Sequence, residues 1–530
     1  MVVLLGEGGF TALDWGVLAG YFALLLATGY ALARRTPSGS AEYFLAGRQM
    51  PVWAVAVSVL ATSLSAATFI GGPQQAYEGN LTYLSASVGA LLAVGVVALF
   101  FVPAFYRSDV STVYELLELR FGMGAKRAAS AMFMVGRVFA SGARVFIVAI
   151  PASMIAFQDD DPGHMVAAIA VLSAVAVGYT LVGGIRSIIW TDVIQTSVFV
   201  GAALAAAGVL LWKIPLGTGE LVSALASSPG PRGTSKLTVL SLSTDASASY
   251  TLWTAVLGFT ILNLGAYGTD HDLVQRMLTC RSAVRGSWSA VLGILVGLPV
   301  TALFMILGLL LYVFYTRADL MGEATPGYGA PAGKEVFLTF ILREMPAGMA
   351  GVMLAGLFAA GLGSLNSALN AMSATLLNDF YRPLRPGLSE RHYLAVGRLG
   401  VVAWGAVLGA FACACVWWYQ AMREEGQTLI DFALSVMSFA YAGLVAVFAT
   451  AIFTRRGSAA SAVAALGVGF AAVLAMQPWA WRAWAPLTPV YGERLAEVRL
   501  AYPWQLLIAT ALATAVCCMG RGRAAAAKEA

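Results

Sequence analysis

"SVLATSLSAATFIGGP", residues 58–73, decides how this chain must be read. It lies inside an apolar run long enough to cross a membrane, yet it carries the hydroxyls of Ser58, Thr62, Ser63, Ser65 and Thr68, then Gly71, Gly72 and Pro73. A helix that only anchors a protein in lipid gains nothing from such residues. Irregular backbone at membrane depth is tolerated only where it is buried in protein or lines a cavity. The stretch therefore predicts an interrupted span whose freed carbonyl oxygens are hard ligands suited to Na+, with Gly71–Pro73 ending the span just beyond. Close helix packing through small residues is the other reading of the same residues.

The surrounding chain sets the context. Of 530 residues, 59% are hydrophobic and 11% charged, against roughly a quarter charged in soluble domains. Apolar runs of about 20 residues, each enough to span hydrocarbon, recur from end to end. About thirteen spans are expected: 10–33, 51–72, 81–105, 127–157, 165–183, 187–212, 250–270, 286–316, 349–378, 394–420, 428–453, 458–477 and 502–520. This is an all-α polytopic membrane protein; the ~10-residue alternation of a transmembrane barrel is missing. Basic residues mark alternate loops: Arg34, Arg35 and Arg48; Arg107, Arg120, Lys126 and Arg127; Arg186; Arg276, Arg281 and Arg285; Arg382, Arg385 and Arg391; Arg455 and Arg456; Arg521 and Arg523. By the positive-inside rule the N-terminus lies outside and the C-terminus in the cytoplasm, in a cell (inner) membrane. The formal charge of +5 gives no reason to expect nucleic acid. The five cysteines and three histidines (His164, His271, His392) show no metal or disulfide spacing. Segments 213–249 and 317–348 read as extracytoplasmic loops with at most a short helix. No paired carboxylate or activated nucleophile suggests an enzyme.

Three further segments break the pattern of a packing span. In "LGFTILNLGAYGTDHD" (257–272), Asn263, Gly265 and Gly268 interrupt an apolar run five spans after the first interruption. Two interrupted helices at corresponding places in two halves point to a transporter with inverted repeats. In "LFAAGLGSLNSALNAMSATLLNDF" (357–380), Ser364, Ser367 and Asn370 share one helix face. Arg137 and Arg144 sit in the fourth span and Asp192 near the start of the sixth. Intramembrane charges are functional hypotheses by default. Arg137 is near enough to the cytoplasmic end to snorkel; Asp192 suits a cation site, a proton site or a structural salt bridge equally.

Taken together, "EYFLAGRQMP", "SLSAATFIGG", "YTLVGGIRSIIWTDVIQ", "HDLVQRMLTCRS" and "LFAAGLGSLNSALNAMSATLLNDFYRP" resemble the solute:sodium symporter family, its bacterial sodium/sialic acid and sodium/galactose carriers in particular. The resemblance implies a LeuT-type five-plus-five inverted repeat with one leading and two trailing helices. The chain then divides into 1–50 (leading helix and cytoplasmic loop), 51–212 (first repeat), 213–249 (outer loop), 250–453 (second repeat) and 454–530 (trailing helices and short tail). It places a principal sodium site on Ala61, Leu64, Ala360 and Ser364, with Gly363 where members usually carry another hydroxyl. A second sodium site would use Asp192, Ser364, Asn366 and Ser367. The solute would meet Ser63, Ser65, Thr68, Arg144, Asn263 and Tyr267, a set closer to the sialic acid type than to the sugar type.

The expected function is Na+-coupled symport of a small polar organic solute, with an anion such as sialic acid or another carboxylate favoured. A neutral solute such as a sugar, a proton-coupled carrier of the same fold with Asp192 as proton carrier, and a transporter-like membrane sensor are the alternatives. The resemblance implies that a monomer suffices for transport in a lipid bilayer. The oligomeric state is not indicated.

Overall fold

Apolar segments in lipid must close their backbone hydrogen bonds within themselves, and the computed structural model meets this with helices. It describes residues 10–33, 40–157, 159, 161–423, 428–478, 480–481 and 499–521; Arg34, Arg35 and Arg523 lie outside these. Among the described residues no strand occurs, only an isolated bridge between Pro229 and Ser235. The leading helix α1 is Ala12–Ala33. The decisive stretch forms two half-helices, α2 (Val52–Ser63) and α3 (Ala66–Glu78), bent 62° apart. Then come α4 (Leu81–Arg107), α5 (Met123–Ala156) and α6 (Pro162–Lys213). A second interrupted pair follows, α7 (254–269) and α8 (His271–Leu278), and then α9 (Ala283–Thr316). The remainder is α10 (Gly333–Glu344), α11 (Met349–Leu384), α12 (Glu390–Arg423), α13 (Leu429–Phe453), α14 (Ala459–Ala475) and α15 (Tyr502–Met519).

Nine of the described helices are long and apolar enough to cross a membrane, ten if α2 and α3 count as one bent span. The other three expected spans correspond to shorter or interrupted pieces: Pro162–Gly178, Ala459–Ala475 and the α7–α8 pair. The most enclosed element is α11, whose spanning window is 94% buried inside protein. It carries the serine- and asparagine-rich sequence, and so its hydroxyls face protein, not lipid.

Two expectations differ from the structure. The first interrupted span does not end at Gly71–Pro73, because α3 runs on to Glu78 with Pro73 inside it. The break lies upstream, at Leu64–Ser65, where the backbone is extended. The second interruption is not at Asn263, which is helical, but at Asp270 (φ −85°, ψ 115°), after wide π-type turns at 254–258 and 265–269. Segment 317–348 does contain a short helix as expected, the twelve-residue α10; what the sequence did not indicate is its burial, with Val336, Phe337, Phe340 and Ile341 inside and Phe337 packed 5.2 Å from Phe69 of α3.

Two details fix the scaffold. The elbow of α6 is Gly184 at φ +58°, where a Cβ would stand 2.7 Å from the Tyr43 carbonyl oxygen; only glycine has both the conformation and the room. Asp14 of α1 caps a different helix: its Oδ1 accepts the N–H of Gly348 and of Gly351, each at 2.8 Å, at the start of α11. A carboxylate at a helix N-terminus satisfies orphan donors and complements the dipole. Asp14→Ala should lower stability by about 1–2 kcal/mol, read as a lower melting temperature in detergent, with Asp14→Asn intermediate.

Candidate functional site

The break between α2 and α3 follows from local hydroxyl chemistry. Ser65 Oγ accepts the Ala67 N–H (3.2 Å), and the Ser65 N–H points at Thr68 Oγ1 (3.5 Å), a capping box that starts a new helix. In a continuous helix the N–H of Ser65 would bond the Ala61 carbonyl, and that of Thr68 the Leu64 carbonyl. Here the first is drawn to Thr68 Oγ1 and the second to the Ser65 carbonyl (2.8 Å). The Ala67 N–H, taken by Ser65 Oγ, likewise leaves the Ser63 carbonyl, so three oxygens are released at membrane depth, those of Ala61, Ser63 and Leu64. The Leu60 carbonyl is taken by Leu64 N–H and Ser63 Oγ, and that of Thr62 by Arg144 (3.4 Å).

Beside the break lies a buried charge network. Arg276 of α8 is fully buried and reaches Asp192 of α6 (3.2 Å), Asp272 (2.8 Å) and Ser58 Oγ of α2 (2.8 Å). Ser58 in turn donates to Asp192 (2.5 Å). Arg137 of α5 meets Asp270 (2.7 Å) and Asp272 (3.2 Å), and Tyr441 of α13 donates to Asp270 (2.6 Å). Ser367 of α11 donates to Asp272. Two arginines thus face three carboxylates. Arg144, also buried, has no carboxylate within ion-pair distance among the described residues, where its hydrogen bond is to the Thr62 carbonyl. It lies within electrostatic reach of Asp270 and Asp272 on one side and of Tyr83 and Tyr267 on the other.

Two cavities flank the break. A void of about 10 Å³ is lined by Ala61, Leu64, Gln195, Thr196, Phe199 and Ala360. That is the scale of a single water or small ion. A cavity of about 160 Å³ is bounded by Ser63, Leu64, Thr68, Tyr83, Asn263 and Tyr267, among others. Leu64 lines both.

The structure therefore gathers Ala61, Leu64 and Ala360 around one void, and Ser63, Thr68, Asn263 and Tyr267 around one cavity. Ser65 lines neither, since its hydroxyl is used in the cap, and neither does Arg144, which bonds the carbonyl of Thr62 next to the cavity-lining Ser63. Ser364 donates to the Gly361 carbonyl (3.0 Å), Asn366 accepts from Thr180 (3.1 Å), and Ser367 turns to Asp272. With Asp192 held by Arg276 and Ser58, these four do not form a single hydrogen-bonded cluster. Asn370 binds Gln275 of α8 (3.2 Å).

Arg276 and Lys126, expected as loop charges, are buried: Arg276 by the network above, Lys126 by Glu118 (2.9 Å) and Asp379 (3.4 Å). Arg137 does not snorkel, because two carboxylates hold it inside. Sequence reading missed Asp270 and Asp272 as its partners, and it missed Gln195 and Thr196. The acids had a signal: Asp272 and Arg276 stand four residues apart, an ion-pair spacing on one helix face, directly after an interrupted span.

The sodium:solute symporter family profile matches residues 43–469. The sodium/sialic acid symporter SiaT of Proteus mirabilis (strain HI4320) is 28% identical over 471 residues, covering 88% of this chain and 90% of the relative. The human sodium/iodide cotransporter is 27% identical over 471 residues, covering 87% and 69%. A solved structure of a Na+-coupled sialic acid symporter, substrate-bound and outward-open, superposes with a TM-score of 0.77 at 25% identity, covering 96% of this chain and 97% of that one.

Removing one member of a buried pair strands the other charge, at a cost of about 3–5 kcal/mol. Arg137→Met and Arg276→Met should each destabilise by that order in detergent melts without solute. Arg144→Met removes a buried cation with no ion pair and should leave the melt unchanged or raise it.

Proposed function

The chain belongs to the sodium:solute symporter family, and from that premise we propose that it imports a small carboxylate together with Na+. As a family member it is a sodium-coupled secondary transporter and not an enzyme. The observation that carries the choice of an anion is Arg144. A buried guanidinium without a carboxylate partner is costly, and a solute carboxylate on the cavity side would supply the missing charge through paired hydrogen bonds. The relatives above are named for sialic acid, itself a carboxylic acid, and for iodide, also an anion. The cavity of about 160 Å³ is below the ~300–1,000 Å³ of sites that take drug-sized ligands, which favours a short-chain acid over a nine-carbon sugar acid.

In this reading Na+ occupies the small void, held by the carbonyls of Ala61, Leu64 and Ala360 and by Ser364. The solute lies against Ser63, Thr68, Asn263 and Tyr267, with Arg144 behind Thr62. A second ion would use Asp192, Ser364, Asn366 and Ser367, once Asp192 and Ser367 turn from their present partners. Coupling runs through Leu64, whose carbonyl would face the ion while its flank lines the solute cavity. A bound ion fixes the carbonyls and so the wall on which the solute rests. Each sodium ion crossing 100 mV contributes about 2.3 kcal/mol. Residues 51–212 and 250–453 act as the two repeats that rock about the break. The N-terminus faces outward from a bacterial inner membrane and the C-terminus the cytoplasm.

The test is a thermal-shift screen of purified protein against short monocarboxylates, sialic acids, sugars and amino acids, in NaCl and in choline chloride. Acids should stabilise in sodium only. Arg144→Ala should weaken the acid by about 1.5–3 kcal/mol, roughly 10- to 150-fold. A neutral sugar that stabilises wild type and Arg144→Ala alike would overturn the carboxylate reading.

A further inference from the structure

The residue missing from the expected ion site is a hydroxyl at 363, where this chain has glycine. The space a side chain would occupy there is filled. A Cβ on Gly363 would stand 2.7 Å from Gln195 Oε1 and 3.7 Å from Asp192 Oδ1. Gln195 comes from α6, is 3% exposed, and neither its amide oxygen nor its amide nitrogen has a hydrogen-bond partner among the described residues. The Thr196 hydroxyl next to it is equally without one. Both residues line the void that also touches Ala61, Leu64 and Ala360.

Buried polar groups are almost always satisfied, and leaving one unpaired costs about 1–3 kcal/mol. A carboxamide with two orphaned atoms is a heavier load still. On its other side Gln195 borders an apolar cavity walled by Leu18, Phe22, Leu172, Phe358 and Leu362, with Asn366 the other polar member, and the Asn366 oxygen already accepts from Thr180. The unmet oxygens and the ion-sized void therefore lie together, and a hard cation with several oxygen ligands satisfies them at once.

We propose that the Gln195 carboxamide oxygen is a sodium ligand that replaces the hydroxyl absent at Gly363, with the Thr196 hydroxyl beside it. This rests on the sodium site described above. The glycine and the glutamine are then one device: Gly363 makes room and Gln195 reaches across from α6 to fill the ligand position. The ion would bridge α2, α6 and α11, not α2 and α11 alone.

The experiment titrates NaCl against choline chloride at constant ionic strength and follows thermal unfolding of the purified full chain. Wild type should be stabilised by sodium. If it is not, the sodium site itself is wrong and this inference falls with it. Given a sodium response, Gln195→Met, which keeps the volume and removes the oxygen, should raise half-saturating sodium at least about tenfold, the cost of a charge-assisted hydrogen bond or more. Gln195→Ala should weaken sodium in the same way, and adding Gly363→Ser to it, where the shortened side chain leaves room for the new hydroxymethyl group, should bring half-saturation back toward the wild-type value, which a merely structural role for Gln195 would not produce. Gln195→Glu, which keeps an oxygen, should retain the response and guards against a variant that fails to fold. Unchanged half-saturation in Gln195→Met, loss of the sodium response in a folded Gln195→Glu, or no rescue by Gly363→Ser would each overturn the assignment.

Discussion

Arg276 is the interaction on which the arrangement depends. A guanidinium at 0% exposure cannot remain in a low-dielectric interior without anions and acceptors around it. It collects Asp192 from α6, Asp272 from its own helix and Ser58 from α2. Arg137, Tyr441 and Ser367 extend the network to α5, α13 and α11. Six elements are tied at one depth by groups that lose far more by separating than by staying together. The α2–α3 break can be irregular because what surrounds it is not.

The overall architecture was legible in the sequence because lipid imposes few solutions. Apolar run lengths and hydroxyls at membrane depth were enough to expect helices, an interrupted second span and a buried, polar α11. The exact break was not legible from glycine and proline. Gly71–Gly72–Pro73 looked like the stop signal, but the backbone turns at a capping box built from Ser65 and Thr68, and a proline inside α3 is accommodated. The quoted motifs proved to be docking surfaces for one another. Gln275 of "HDLVQRMLTCRS" donates to the Phe44 carbonyl of "EYFLAGRQMP" (2.8 Å), and Met50 N–H bonds the Thr279 carbonyl (3.1 Å). What stayed hidden was pairing across distant parts of the chain. Arg276 looks like a loop charge until Asp192, 84 residues earlier, is seen beside it. Gln195 looks like an ordinary helix residue until Gly363 is found opposite.

The site also separates two kinds of recognition within a few residues. Released backbone oxygens offer a fixed ring of partial negative charge with no side-chain rotamer to order. The solute wall is made of hydroxyl, amide and phenol groups that can exchange partners. The same capping box produces both, since it releases the Ala61 and Leu64 carbonyls and turns Ser63 and Thr68 toward the larger cavity.

The cap that Asp14 places on α11 bears on how the protein is made. Asp14 and its partner Gly351 are 337 residues apart in the chain, so α1 leaves the ribosome well before α11. At translation rates of about 5–20 residues per second, α1 waits on the order of tens of seconds for the backbone it must bind. Of the partners of Asp14 in the folded protein, Thr11 is the near one in the chain and the backbone of Gly348 and Gly351 the late one. This contact of α1 can therefore close only after the start of α11 has been made, and its docking reports that the α11 N-terminus has arrived.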